Sequence, residues 1–183
     1  MIILSIVVTL LFLIIASIYN GLIRRKNEVD NAFSGVDVQL KKRYDLIPNL
    51  VETVKQYAAH EKELLTKVTD LRTKALSGGL SENEKITLDN ELNSAIGGIM
   101  VAVENYPDLK ANENFLNLQR NLTEVESQIA AARRTYNAVV TAYNNGIEIF
   151  PNNLLAGRMN MYKKEVLEIP AVEREPVKVK ELF

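Results

Sequence analysis

The apolar residues of this 183-residue chain follow two patterns. No charged side chain occurs from Met1 to Ile23, and Ile, Leu, Val and Phe fill most of those positions. A helix of that length reaches across a hydrocarbon core of roughly 30 Å. Further along, apolar residues recur in alternating steps of three and four, the period of helices with one buried face. The pattern predicts an all-α protein in which an N-terminal transmembrane helix is continuous with an elongated antiparallel bundle of three long helices, with room for a short fourth.

The segment 1–23 is interpreted as a retained transmembrane anchor rather than a cleaved secretory signal. A secretory signal has a basic region before its apolar run and an A-x-A-like cleavage site after it, and neither is present here. Because the chain has no cysteine, a lipoprotein anchor is excluded. Arg24, Arg25 and Lys26 follow the apolar run directly, and a basic flank stays in the cytoplasm. We therefore expect a single-pass protein with a short external N-terminus and a cytoplasmic remainder.

The first helix of the bundle is predicted from about Gly21 to Ala75, because its apolar stripe runs through this range without a change of phase. Its inward positions are Val29, Phe33, Val36, Leu40, Tyr44, Ile47, Val51, Val54, Ala58, Leu65, Val68 and Ala75. Pro48 is the one interruption, since proline lacks an N–H and crowds the carbonyl four residues back. The helix either kinks at Pro48 or restarts there with Asp45 as its cap, and the sequence leaves both open.

A second helix is predicted from Ser81 to about Asn105. Ser77-Gly78-Gly79 ends the preceding helix, because glycine readily adopts the left-handed conformation found there. Ser81 and Glu84 then form the S-x-x-E pattern of a capping box. The expected inward residues are Leu88, Leu92, Ala95 and Ile99. Because the connection is short, the second helix should be an antiparallel neighbour of the first.

The third helix is predicted from about Asn112 to Phe150, where the apolar period predicts a coiled-coil-like seam. Its inward residues are Phe115, Leu118, Leu122, Val125, Ile129, Ala132, Tyr136, Val139, Tyr143 and Ile147. Pro151 stops it, and residues 152–162 are the candidate short fourth helix. The bundle thus covers 24–168. The tail 169–183 is expected to be irregular, with a hint of a short strand around Val177 and Val179.

Composition and motifs argue against most chemistry. A formal net charge of −1 gives no basic field for nucleic acid, so no nucleic-acid partner is expected. His60-Glu61 begins like the H-E-x-x-H zinc signature, but Leu64 stands where the second histidine belongs. No phosphate-binding loop or dinucleotide-binding glycine motif occurs. We therefore expect no catalytic residues, no metal, no cofactor and no enzymatic activity.

Polar residues form a stripe beside the apolar seam of the third helix. Its members are Gln119, Glu126, Arg133, Asn137 and Asn144. One interpretation is that they pair with the first helix, for example with Gln39, Arg43 or Asn49, and fix the register of the bundle. The other is that they form a docking surface for a partner helix or a second copy of the chain. Glu126→Arg distinguishes the two, because it should destabilise the fold only in the first case.

Several blocks resemble the LemA family. They are QLKKRYDLIPNLV at 39–51, His60-Glu61, Leu118-Gln119, TEVESQIAAARRTYN at 123–137, Tyr143-Asn144 and Phe150-Pro151-Asn152. The likeness spans about residues 19–170, and the block around Pro48 is highly specific. It implies a bacterial membrane protein with an N-terminal anchor in the inner membrane and an antiparallel helical bundle. The family brings no established enzymatic activity or cofactor.

Two functions are expected from these features. The first is a membrane-anchored helical scaffold or adaptor that acts through protein–protein contacts and self-association. Its partners would be the lipid bilayer, a protein that the sequence does not identify, and further copies of the chain. The alternative is a membrane-tethered ligand-sensing or signalling module that transmits a change through a kink at Pro48.

Overall fold

The computed structural model describes residues 1–58 and 60–167. Within these ranges all regular structure is helical, and a long apolar N-terminal helix continues into a helical bundle, as the sequence predicts. The helices are α1 (Ile2–Tyr57), α2 (Lys62–Ala75), α3 (Glu82–Val103), α4 (Pro107–Lys110), α5 (Glu113–Glu148) and α6 (Asn152–Arg158). The predicted tail 169–183, with its hint of a strand at Val177 and Val179, lies outside the described residues.

The first long helix breaks at a different place from the one expected. Pro48 lies inside α1, so of the two alternatives that the sequence leaves open at this residue, the restart is excluded. The helix instead ends at Tyr57, and α2 begins at Lys62. Tertiary contacts hold both sides of this break: the Asn112 side-chain amide donates to the Tyr57 hydroxyl, and the Tyr106 hydroxyl donates to the Glu61 carboxylate. The apolar stripe continues in phase through the break, and therefore periodicity does not reveal it.

The described chain divides into two compact units. Unit 1 comprises Met1–Arg43 and Thr123–Val166, and unit 2 comprises Tyr44–Leu122 together with Leu167. The boundaries fall inside α1 and α5, so each of these helices contributes to both units.

In unit 1, α1 and α5 are antiparallel. The rings of Phe33 and Tyr136 meet edge to face, with centroids 5.7 Å apart. Ten residues further along α1, Arg43 pairs with Glu126, which lies ten residues earlier in α5. The buried apolar residues include Leu22, Val29, Val36, Leu40, Val125, Ile129, Tyr136, Val140, Tyr143 and Ile147. Two of the expected inward positions are wrong. Ala132 and Val139 are only half-buried, and the residues that follow them, Arg133 and Val140, are buried instead.

In unit 2, α2 and α3 pack against each other across a short connection. Gly79, in that connection, has a φ of +88°, a conformation that favours glycine. Ser81 then caps α3: its hydroxyl accepts the backbone N–H of Glu84, and the Glu84 carboxylate accepts the backbone N–H of Ser81. The predicted capping box is therefore confirmed, and α3 ends at Val103, two residues before the expected boundary.

Candidate functional site: the apolar helix and its polar contacts

The N-terminal part of α1 has the length and composition of a membrane-spanning segment. Eighteen consecutive residues of it are strongly apolar and none of them is buried, and α1 is the one helix of the described chain that is long and apolar enough to cross a membrane. Residues 2–15 are all exposed, whereas Leu22 is fully buried against the rest of unit 1. Packing of the bundle thus begins where the apolar run ends.

The three basic residues after the apolar run have different environments. Arg24 and Lys26 are exposed side chains on the surface of α1. Arg25 instead reaches α5, where its Nη1 donates to the carbonyl oxygen of Ala142 at 3.0 Å. Its side chain lies across Gly146, where an added Cβ would come within 2.7 Å of the Arg25 Cδ. The end of the apolar segment is therefore tied to the last turns of α5 by Arg25.

Arg43 is a buried cation on the α1 face that meets α5. Only 2% of its side chain is exposed, and its guanidinium pairs with the half-buried carboxylate of Glu126. Moving a charged group from water into a protein interior costs on the order of several kcal/mol. A buried guanidinium therefore needs a partner of opposite charge. This pair joins a stripe residue to one of the α1 residues that the register interpretation names.

Asn144 holds a different part of the chain. Its Nδ2 donates to the Lys164 carbonyl at 2.8 Å, and its Oδ1 accepts the Lys164 backbone N–H at 2.9 Å. The Lys164 ammonium in turn lies 3.0 Å from Asp30 of α1. The Tyr143 hydroxyl donates to the Tyr162 carbonyl, and burial raises the pKa of Tyr143, with Lys164 opposing and Asp30 reinforcing the shift. Asn144 thus fixes the segment that follows α6 rather than α1 itself.

The other stripe residues do not share one surface. Arg133 is buried and Asn137 is half-buried in unit 1, whereas Gln119 is an exposed residue of unit 2. Each of the three has an electrostatic, hydrogen-bonding or ring partner within the structure. The stripe therefore separates into individual contacts, of which Glu126–Arg43 and Asn144–Lys164 have the clearest geometry.

Pro48 leaves a backbone carbonyl of α1 available to a side chain of another helix. Since proline has no N–H, the carbonyl of Tyr44 lacks its usual helical donor. Arg72 of α2 supplies one instead, with its Nε 2.8 Å from that oxygen. The proline predicts an unpartnered carbonyl at residue 44, but nothing in the sequence assigns Arg72 to it. The contact joins α2 to α1 within unit 2.

His60 is an exposed residue, and no group of three potential metal ligands occurs among the described residues. The neighbouring Glu61 accepts a hydrogen bond from the Tyr106 hydroxyl at 3.1 Å. Desolvation, followed by this bond, raises the pKa of Tyr106. The His60-Glu61 pair therefore contributes a structural contact through Glu61.

An apolar helix that continues into a bundle, with its polar side chains engaged in contacts within that bundle, defines a membrane-associated helical protein. The chain belongs to the LemA family, whose sequence model matches residues 32–180. The specific block at 39–51 thus contains the buried Arg43, the carbonyl of Tyr44 and the proline that frees it.

Three curated relatives extend this comparison. Protein LemA of Metamycoplasma hominis is 29% identical over 89% of this chain and 74% of its own length. Magnetosome protein MamQ 2 of Paramagnetospirillum magneticum is 24% identical over 90% of this chain and 70% of its own. Magnetosome protein MamQ of Magnetospirillum gryphiswaldense is 23% identical over 75% of this chain and 60% of its own.

Proposed function

We propose that this protein is a membrane-anchored helical scaffold or adaptor of the bacterial inner membrane, with no catalytic activity of its own. It acts through protein–protein contacts, including contacts between copies. The observation that carries the proposal is the continuity of α1, which passes from exposed apolar residues to the buried Leu22 without a connecting loop. A continuous helix fixes unit 1 to the membrane segment, which is the property that a scaffold needs in order to present partners at the membrane.

The polar contacts of unit 1 support a structural role for its charged residues. Arg43 and Glu126 neutralise each other, and Lys164 is held by Asn144 and Asp30. These polar groups are used in contacts within unit 1. Contacts with other molecules are therefore left to the exposed surface of the bundle.

The proposed topology is a single pass with the N-terminus outside and the bundle in the cytoplasm. Arg24, Arg25 and Lys26 lie immediately after the apolar run. Positive charge flanking a single apolar helix favours the cytoplasmic side. The partners of the scaffold would accordingly be cytoplasmic proteins or the cytoplasmic parts of membrane proteins.

The test is the mass of the full-length protein, extracted from native membranes in mild detergent and measured by native mass spectrometry. We expect a defined oligomer, or a protein partner in stoichiometric amount. Replacing residues 2–18 by leucine keeps an apolar anchor and shows whether the association resides in the bundle or in the anchor. A strictly monomeric protein without a specific co-purifying partner would contradict the proposal.

A further inference from the structure

Large apolar side chains are exposed at the corner between α5 and α6 and in the segment that follows α6. Ile149, Phe150, Leu154 and Tyr162 are between 59% and 74% exposed. Single exposed apolar residues are ordinary on protein surfaces, but several close together mark an interaction surface. We call these four residues the corner patch.

The register of unit 1 places the corner patch at the end of the apolar segment. Because α1 and α5 are antiparallel, the pairings Phe33–Tyr136 and Arg43–Glu126 can be extended along both helices. This extension brings Ile149 and Phe150, which directly follow α5, to the level of Tyr19 and Asn20. That level is where the uncharged part of α1 gives way to its basic flank.

A second observation places the following segment at the same level. Residues 159–164 lie beside α1, and together with Tyr19, Ile23 and Lys26 they line a cleft of about 530 Å³ in unit 1. Tyr162 belongs to this lining and to the corner patch. Through Tyr162, the patch therefore reaches the point at which α1 leaves the apolar region.

The corner is held by hydrogen bonds rather than left as a free end. The Asn152 side-chain amide donates to the Gly146 carbonyl at 2.9 Å, closing the last turn of α5 onto the start of α6. The Tyr143 hydroxyl donates to the Tyr162 carbonyl at 3.2 Å. A fixed apolar surface of this kind loses little conformational freedom when it is covered.

The surroundings of the corner patch have the chemistry of a membrane interface. Tyr19 and Tyr162 are aromatic residues with a polar tip, the type enriched at the headgroup level. Arg24, Lys26 and Arg158 are exposed cations of unit 1, and anionic lipid headgroups attract such charges. Both features indicate a lipid surface as the occupant.

We propose that the corner patch inserts into the headgroup–acyl boundary of the same bilayer that α1 crosses. Unit 1 then contacts the membrane twice, through the spanning segment and through the corner. The second contact restricts rotation of unit 1 about the α1 axis, so that one face of the bundle is presented to the cytoplasm. This inference rests on the proposed membrane anchoring of α1.

The chain contains no tryptophan, so one introduced tryptophan reports its own surroundings. Three full-length single-tryptophan variants are compared in lipid nanodiscs prepared with and without brominated acyl chains, which quench nearby tryptophan. Phe150→Trp tests the corner and Phe12→Trp tests the anchor. Val38→Trp is the matched control, since Val38 is an exposed apolar residue of α1 in unit 1, fifteen residues beyond the end of the uncharged run at Ile23.

Insertion of the corner into the boundary layer predicts that brominated lipid lowers the Phe150→Trp emission by about half, with a blue-shifted maximum. Phe12→Trp should be quenched at least as strongly, and Val38→Trp should be unaffected. Quenching of Phe12→Trp without quenching of Phe150→Trp would overturn the corner contact while leaving the anchor intact. A Phe150→Trp blue shift that depends on protein concentration and not on bromination would assign the patch to a second copy and equally overturn the proposal. Absence of quenching in Phe12→Trp would refute the anchor itself.

Discussion

The Nε of Arg72 lies 2.8 Å from the carbonyl oxygen of Tyr44. This oxygen is the one that Pro48, four residues later, leaves without a helical donor. The proline therefore does more than interrupt a helix, because it creates an acceptor on α1 that α2 uses. Within unit 2, α2 thus contacts α1 at the point where proline interrupts the helical hydrogen bonding of α1.

The first prediction concerns this contact. Arg72→Ala should lower the free energy of unfolding by about 1–3 kcal/mol, because it removes a donor from a partly buried carbonyl. In a Pro48→Ala background the backbone N–H of residue 48 restores the helical bond, so Arg72→Ala should then have a clearly smaller effect. Chemical denaturation of the four full-length proteins in mild detergent, followed by circular dichroism, gives the coupling energy.

Lys74→Ala is the control for this cycle, since Lys74 is the other basic residue in the last turn of α2 and is exposed. It removes the same charge without touching the Tyr44 carbonyl. Equal effects of Arg72→Ala with and without Pro48 would show that the hydrogen bond does not compensate for the proline. A Pro48→Ala protein with unchanged conformation and phenotype would also remove the reason for a signal transmitted through that residue.

The second prediction concerns the buried pair Arg43–Glu126. Glu126→Arg should destabilise the protein by about 3 kcal/mol or more, because it leaves the buried Arg43 beside a like charge. Replacing both residues by apolar ones, as in Arg43→Met with Glu126→Leu, should restore most of that loss. Glu124→Arg is the matched control, since Glu124 is an exposed residue of α5 and should tolerate the change within about 0.5 kcal/mol.

Thermal melting of these variants distinguishes the two interpretations of the stripe. Fixed register predicts a lower melting temperature for Glu126→Arg and not for Glu124→Arg. Unchanged melting of Glu126→Arg together with loss of a co-purifying partner would instead identify Glu126 as part of a docking surface.

The third prediction concerns the cap of α3. Ser81→Ala should destabilise the protein by about 1 kcal/mol at neutral pH. Hydrogen bonds from the Ser81 side chain and backbone hold the pKa of Glu84 below its ordinary value. The ionised carboxylate therefore contributes stability above its unfolded-state pKa and loses it as the pH falls through the lower folded-state pKa. The difference between wild type and Ser81→Ala should shrink over that acidic range.

Urea denaturation of both proteins at a series of pH values measures this difference directly. Any acid destabilisation shared by the two chains cancels in the comparison. A difference that stays constant or grows as the pH falls would mean that the Glu84 carboxylate does not contribute through its contact with Ser81.

The features predicted from the sequence are those determined by local chemistry. The uncharged run of α1, the Ser81 capping box and Pro151 each mark a boundary through residues within a few positions. At the end of α1, the Tyr57 hydroxyl accepts a hydrogen bond from Asn112, more than fifty residues away, and no local signal predicts this end. Arg72 was missed for the same reason, because its acceptor is created by a proline on another helix.

The inner face of α5 shows a subtler limit. The apolar pattern favours Ala132 and Val139, but Arg133 and Val140 are buried instead. Alanine gives little preference for burial, and a long arginine side chain can enter the interior when polar partners are available. Sequence patterning identifies the helix and its approximate face, whereas the exact register depends on such polar contacts.

The side of the membrane on which the bundle lies decides which proteins the scaffold can contact. The chain has no cysteine, so a single introduced cysteine reports its own accessibility. Ile2→Cys reports the start of the apolar helix, and Glu91→Cys reports an exposed position on α3. Each full-length variant is treated with a membrane-impermeant maleimide in spheroplasts and in inverted vesicles. A cytoplasmic bundle predicts that Ile2→Cys reacts in spheroplasts and Glu91→Cys only in inverted vesicles. Reaction of Glu91→Cys in spheroplasts, or recovery of the protein in the soluble fraction, would contradict the membrane-anchored cytoplasmic scaffold.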